Sequence, residues 1–101
     1  MNIADQQAPS FVYIVSNEHR TVLYVGFTSN LRHRINAHKK GLIPGFTKKY
    51  NAHWLVYFEQ YADIEQARKR EKYLKGKSRA KKTALIQEIN PDWKDLTREI
   101  P

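Results

Sequence analysis

Glu71 is the residue of this 101-residue chain whose position most needs a chemical explanation. Ile64, Ala67, Glu71 and Leu74 recur at helical spacing and make one stripe. Its apolar members mark the stripe as core-facing, and an unpaired carboxylate is costly to bury there. Two explanations are open: an ion pair with a Lys or Arg at the stripe's edge, or a hard-metal ligand on the floor of a positive cleft. Arg34 and His38 stand four apart, on one side of the chain's first helix. A guanidinium fork can bridge two phosphate oxygens, which an ammonium cannot. The plainer reading of the pair is a solvated ridge beside Leu31 and Ile35. Tyr13 and Tyr24 fall in the middle of two strand-like runs. A free phenol titrates near pH 10, so base chemistry there needs a cation or metal close by; otherwise both are ordinary sheet aromatics. Gly26 sits in a strand interior, which calls for a bulge or the close approach of another group.

These residues need a scaffold, and the pattern supplies one. Residues 11–16 and 22–27 are rich in β-branched and aromatic types and read as strands, joined by a short polar link into a hairpin. Period-two alternation puts Phe11, Tyr13 and Val15 on one face of the first, and Val22, Tyr24 and Gly26 on one face of the second. Thr28, Ser29 and Asn30 offer caps for a helix over 30–41 that Gly41 ends. Residues 42–51, with Pro44 and Gly45, read as a loop, and 53–61 as a third strand dense in aromatics. Asp63 with Gln66 resembles a capping box for a helix running to about Lys75 and stopped near Gly76. Ser78 caps a third helix carrying Leu85, Ile86 and Ile89, which must stop before Pro91. Residues 1–10 read as a disordered tail and 11–97 as the folded domain. The order ββαβαα makes an α+β domain with a small, mostly antiparallel sheet.

Composition narrows the chemistry further. A formal charge of +8 and the absence of cysteine leave no disulfide scaffold, zinc ribbon or thiol nucleophile, and point to a polyanionic partner. The longest apolar run, 11–15, is too short for a membrane span, and the polar start lacks the order of a signal peptide, so the cytoplasm is the expected location. No acid falls between Glu18 and Glu59, where Arg32, Arg34, Lys39, Lys40, Lys48 and Lys49 stand. From Arg68 to Lys82 nine of fifteen residues are basic, and Glu71 is the one acid among them.

Taken together and in this order, Tyr13, then Tyr24, Val25 and Gly26, then Arg34, then Glu71 resemble the GIY-YIG nuclease superfamily, and more narrowly its small stand-alone bacterial members. Supporting stretches are VYIVSN, LYVGFTSNLRHRINAHKKG, GFTKKYN, LVYFEQYADIEQARKREKYLK and NPDWKDL. Two departures stand out. Phe11 replaces the first glycine of the family name, and Gly76, Lys77, Ser78 and Arg79 stand where relatives often carry a tryptophan-containing stretch.

The resemblance implies a three-stranded antiparallel sheet flanked by helices, and hydrolysis of DNA phosphodiesters with Mg²⁺ or Mn²⁺. Glu71 would be the metal ligand, Tyr13 and Tyr24 would flank the attacking water with one of them as base, and Arg34 would stabilise the transition state. His38 and Lys48 would sit at the rim, contacting phosphate or assisting proton transfer, with His38 among the catalytic residues, and Asn90 would give polar support unless it merely ends a helix before proline. Arg32, Lys39, Lys40, Lys48, Lys49, Arg68, Lys72, Lys75, Lys77 and Arg79 would clamp the DNA backbone, positioning it without reading sequence. A monomer with weak sequence preference, acting on branched or damaged DNA in repair or processing, is the expectation. Two other classes predict different behaviour: a non-catalytic basic nucleic-acid-binding module, and a subunit whose basic face docks an acidic protein.

Overall fold

The computed structural model describes residues 9–101. The three apolar, β-branched runs form β1 (Ser10–Ser16), β2 (Leu23–Thr28) and β3 (Trp54–Tyr61). They make one antiparallel sheet in the order β2-β1-β3, so β1 is central, and every one of its residues is buried. Tyr13 pairs with Gly26 on β2 and with Phe58 on β3. Between Ile14 and Val15 the β3 register slips, so that Ile14 faces Tyr57 and Val15 faces Leu55. That bulge turns Val56 and Tyr57 into one core while Leu55 enters the other.

The sheet divides two apolar clusters. Phe11, Tyr13 and Val15 pack with Leu31 and Ile35 of α1 (Leu31–Lys39), and with Ala52, Leu55 and Ile100. Val12, Ile14 and Val25 pack on the other side with Ala67 and Leu74 of α3 (Ile64–Lys75), Ile86 of α4 (Arg79–Ile89) and Trp93. All three long helices carry the N-caps the sequence suggests: Asn30 accepts from the His33 amide, Asp63 from Gln66 and Ser78 from Lys81. Gln66 also reaches back to the Asp63 carboxylate at 3.3 Å.

Three departures from the sequence reading stand out, and one expected residue finds its partners. Within the expected loop 42–51 lies a one-turn helix, α2 (Phe46–Lys49). Gly45 precedes it at φ +100°, a conformation that glycine adopts without penalty, and four residues are too few to show periodicity. The expected tail over 1–10 falls mostly outside the described residues; Ser10, within it, is buried and opens β1. At the other end the packed chain continues past residue 97: a 3-10 turn (Leu96–Glu99) leads to Ile100, which is buried on the α1 side. Asn90 ends α4 and is itself buried. Its amide donates to the carbonyls of Val56 at 3.0 Å and Lys94 at 2.9 Å, and its side-chain oxygen accepts from the Lys94 amide, tying α4 to β3.

Candidate active site

The Tyr13 ring lies close against the glycine that faces it. A Cβ placed on Gly26 would come within 2.5 Å of the Tyr13 Cζ and hydroxyl oxygen, so the close approach foreseen for Gly26 is that of the Tyr13 ring. Tyr24 stands two residues earlier on the same strand. Both tyrosines line an open cleft of about 330 Å³, together with Gly26, Arg34 from α1, and Ile64 and Glu71 from α3. Strand alternation delivers the tyrosines, and the helical repeat delivers Arg34 and Glu71. The stripe on α3 is less uniform than its spacing suggested: Ala67 and Leu74 are fully buried, whereas Ile64 is exposed at the cleft.

The Glu71 side chain is 14% exposed and pairs with Lys75, one turn later, at 3.0 Å. The ion-pair explanation is therefore realised, by a lysine that also lies 5.5 Å from the centre of the Tyr24 ring. Among the described residues Glu71 is the only carboxylate lining the cleft. Among the described residues no three His, Asp or Glu side chains gather as a metal cluster. A single carboxylate facing a water-accessible cleft still suits a hard cation that keeps most of its waters and takes further ligands from phosphate.

His38 departs from the rim position. It is 5% exposed, held between Tyr13, whose hydroxyl lies 3.0 Å from Nε2, and Thr47 of α2, whose hydroxyl lies 3.1 Å from Nδ1. Its partners sit on elements distant in sequence, and helix spacing could not reveal them. Both tyrosine rings meet the imidazole edge-on, at centroid distances of 5.7 and 6.0 Å. Burial pulls the His38 pKa down to about 4, with Arg34 and His53 adding to the effect, so the ring is neutral at neutral pH. The Tyr13 phenol is pushed well above its usual value, first by burial, then by Tyr24 and Glu71, against the opposing pull of Arg34. Tyr13 is therefore a neutral phenol.

The cations divide. Three of those expected to clamp a backbone are engaged within the fold: Arg32 donates to the Ile100 carbonyl at 3.0 Å, Lys39 pairs with Asp95, and Arg79 donates to the Arg20 and Thr21 carbonyls. Arg68 pairs with Glu65 on the surface. Lys49 lies over Tyr50 and Lys77 over Tyr73. Lys48, with Lys39 and Lys40, lines a second depression behind His38, away from the cleft. Lys40 and Lys72 are free of ion pairs among the described residues; Lys40 is exposed and Lys72 is on α3. A polar cluster on the α3 side escaped the sequence reading: Glu59 accepts from Tyr57, Tyr61 and both forks of Arg70, at 2.9 and 3.0 Å. Burial alone would raise the Glu59 pKa, but the Arg70 and tyrosine hydrogen bonds outweigh it and hold it below the usual value. The alternation of Tyr57, Glu59 and Tyr61 along one strand face was the signal.

Two tyrosines, an arginine and one glutamate around a cleft on this sheet define a class of protein. Residues 9–84 match the family model of the GIY-YIG catalytic domain, and the chain belongs to that family. More particularly, it is similar to small bacterial UPF0213 proteins over almost their full length. It is 34% identical over 91 residues to one from Clostridium perfringens, covering 90% of this chain and 97% of that protein. With one from Staphylococcus haemolyticus the identity is 36% over 81 residues, covering 80% and 98%. The solution NMR structure of a UPF0213 protein from Bacillus halodurans aligns with a TM-score of 0.55 at 26% identity, over 89% of this chain and 95% of that one. Phe11 fills core space edge-on to Phe58 at 6.3 Å.

Proposed function

We propose that this chain is a divalent-metal-dependent DNA endonuclease that hydrolyses phosphodiester bonds with low sequence specificity and acts in the cytoplasm in DNA repair or processing. The convergence of Tyr13, Tyr24, Arg34 and Glu71 on one cleft carries this reading. Glu71 would hold a Mg²⁺ or Mn²⁺ ion, which when bound supplies a Lewis acid for the phosphate and its leaving oxygen. Holding it would require Glu71 to release its Lys75 partner, which would leave Lys75 free for a phosphate oxygen. Arg34 offers a forked donor to charge that develops on the phosphate during attack.

Tyr13 and His38 position the attacking water. With the imidazole neutral, the tautomer that donates from Nδ1 to Thr47 accepts a hydrogen bond from the Tyr13 hydroxyl at Nε2. The Tyr13 oxygen then accepts a hydrogen bond from the attacking water, whose proton leaves to solvent through the open cleft. A raised phenol pKa keeps Tyr13 a neutral hydrogen-bonding group rather than a standing phenolate. Tyr24 borders the same cleft and packs against the same imidazole. Lys40, Lys48, Lys72 and Lys77 remain to contact the DNA backbone, and binding through them weakens as salt rises.

The deciding experiment is incubation of supercoiled, single-stranded and branched DNA with Mg²⁺, Mn²⁺ or EDTA, using the wild type, Glu71→Gln and Arg34→Ala. Metal-dependent nicking that drops by about a hundredfold or more in either variant is the expected result. Nicking that persists in EDTA, or is equal in Glu71→Gln, would overturn the mechanism. Salt-sensitive binding without scission under any metal would identify a binding module instead.

A further inference from the structure

A row of aromatic rings, half-buried at Tyr24 and exposed beyond it, leads out of the cleft. Tyr24, at the cleft wall, stacks on Phe46 of α2 with centroids 6.3 Å apart and planes 26° from parallel. Phe46 in turn meets Tyr50 at 4.8 Å. Phe46 is 44% exposed and Tyr50 42%, so neither ring is spent on the core. An apolar surface of this kind, rimmed by polar groups, marks a place where something binds. Three lysines border it, with Glu71 paired to one of them and Glu18 beyond Tyr50. Lys75 and Lys82 line the shallow hollow between Tyr24 and Phe46, and the Lys49 ammonium lies 5.4 Å from the Tyr50 ring centre.

Flat ring faces alternating with ammonium groups complement a ligand of flat apolar rings joined by regular negative charges. An acidic peptide would supply the charges without the rings. A DNA duplex supplies both but keeps its bases stacked on one another, out of reach of a side-chain platform. Only unpaired bases present a face for stacking, and aromatic side chains beside a basic groove are how strands are held without regard to sequence.

The geometry points to a binding subsite for unpaired DNA bases along Tyr24, Phe46 and Tyr50, with the strand's phosphates beside Lys49, Lys75 and Lys82. This rests on the nuclease reading and deepens it: the substrate carries a single-stranded segment next to the bond that is cut. Because Tyr24 belongs both to the row and to the cleft, a base stacked on Phe46 would bring its neighbouring phosphate to the Tyr13 side.

Binding in EDTA tests this without requiring scission. The probes are a fluorescent oligothymidylate, its duplex with oligoadenylate, and an oligothymidylate carrying 2-aminopurine, whose emission is quenched by stacking. Phe46→Leu keeps the apolar packing and removes the ring face; Phe46→Trp restores a face; Tyr50→Leu probes the outer step, and an unchanged melting temperature certifies each fold. The expected result is that wild type binds the single strand more tightly than the duplex and quenches 2-aminopurine. Phe46→Leu or Tyr50→Leu then weakens single-strand binding by about tenfold, leaves duplex binding within twofold, and abolishes the quenching, while Phe46→Trp retains it. Equal losses for both DNA forms, no quenching in wild type, or tighter binding of oligouridylate than of oligothymidylate would overturn the assignment. Intact single-strand stacking without metal-dependent nicking would instead count against the nuclease reading alone.

Discussion

Gly26→Ala is the smallest change that should disable the site. Elsewhere in a strand, alanine for glycine gains about 0.5–1 kcal/mol. Here the new methyl would lie 2.5 Å from two atoms of Tyr13 and 2.9 Å from a third. Carbon contacts rest at about 3.5–4.0 Å, so the ring must retreat by about 1 Å. It has nowhere easy to go, being 1% exposed and packed among Leu31, Ile35 and Leu55. A shift of that size stretches the 3.0 Å contact with His38 beyond hydrogen-bond range. Overpacking and a broken buried hydrogen bond together cost about 3 kcal/mol. For a domain of this size that lowers the melting temperature by roughly 10–20 °C, measurable by circular dichroism. Below the variant's melting point, nicking should still be about a hundredfold slower, since a misplacement of about 1 Å has that effect on a reacting group. A double-mutant cycle identifies the cause. In a Tyr13→Leu background the clashing atoms are gone, and the cost of Gly26→Ala should fall below about 1 kcal/mol. A neutral Gly26→Ala, or costs that simply add, would refute the account of why position 26 is glycine.

Further outcomes follow from other parts of the structure. An unfolded histidine takes up a proton near pH 6.5 and folded His38 only near pH 4, so acid favours the unfolded chain between those values. Stability is therefore complete above pH 6.5 and declines by about 3 kcal/mol at most as pH falls to 4; denaturation midpoints at pH 7.5 and 5 should show the slope, and His38→Gln should flatten it. Glu71→Gln removes a helix-surface pair worth about 0.5 kcal/mol or less and should leave urea midpoints nearly unchanged while nicking is lost. Asn90→Ala leaves buried backbone partners on β3 and after α4 without their hydrogen bonds, and should cost about 2 kcal/mol by urea titration without changing the metal dependence of nicking. Arg70→Met strips the charged partner from half-buried Glu59 and should destabilise by about 1–3 kcal/mol, a loss that Glu59→Gln in the same chain partly reverses.

Much of the architecture was legible in local signals. Caps at Asn30, Asp63 and Ser78 act within one turn of the residues they serve, so sequence spacing reveals them directly. Gly26 announced a close approach, although only the sheet register could name Tyr13 as the approaching group. His38 shows the limit. Its position beside Arg34 was readable, but its burial depends on Thr47, on a helix of one turn, and on a strand that precedes it by 25 residues. Charge was the least transferable signal. Arg32, Lys39 and Arg79 look like any other bases in sequence, yet each is drawn to a backbone carbonyl or carboxylate brought near only by folding.

The central place of β1 has a consequence for how this protein can change. A strand bonded on both sides and buried along its whole length opens to solvent exchange only when the entire domain unfolds. Tyr13 rides on that strand, so its placement shares the fate of global stability, and amide exchange at β1 should report both at once. Mutational drift there is punished twice. Variation in what the protein grips is left to the exposed turn of α2 and the outer faces of the helices, where a substitution alters surface contacts without disturbing the phenol.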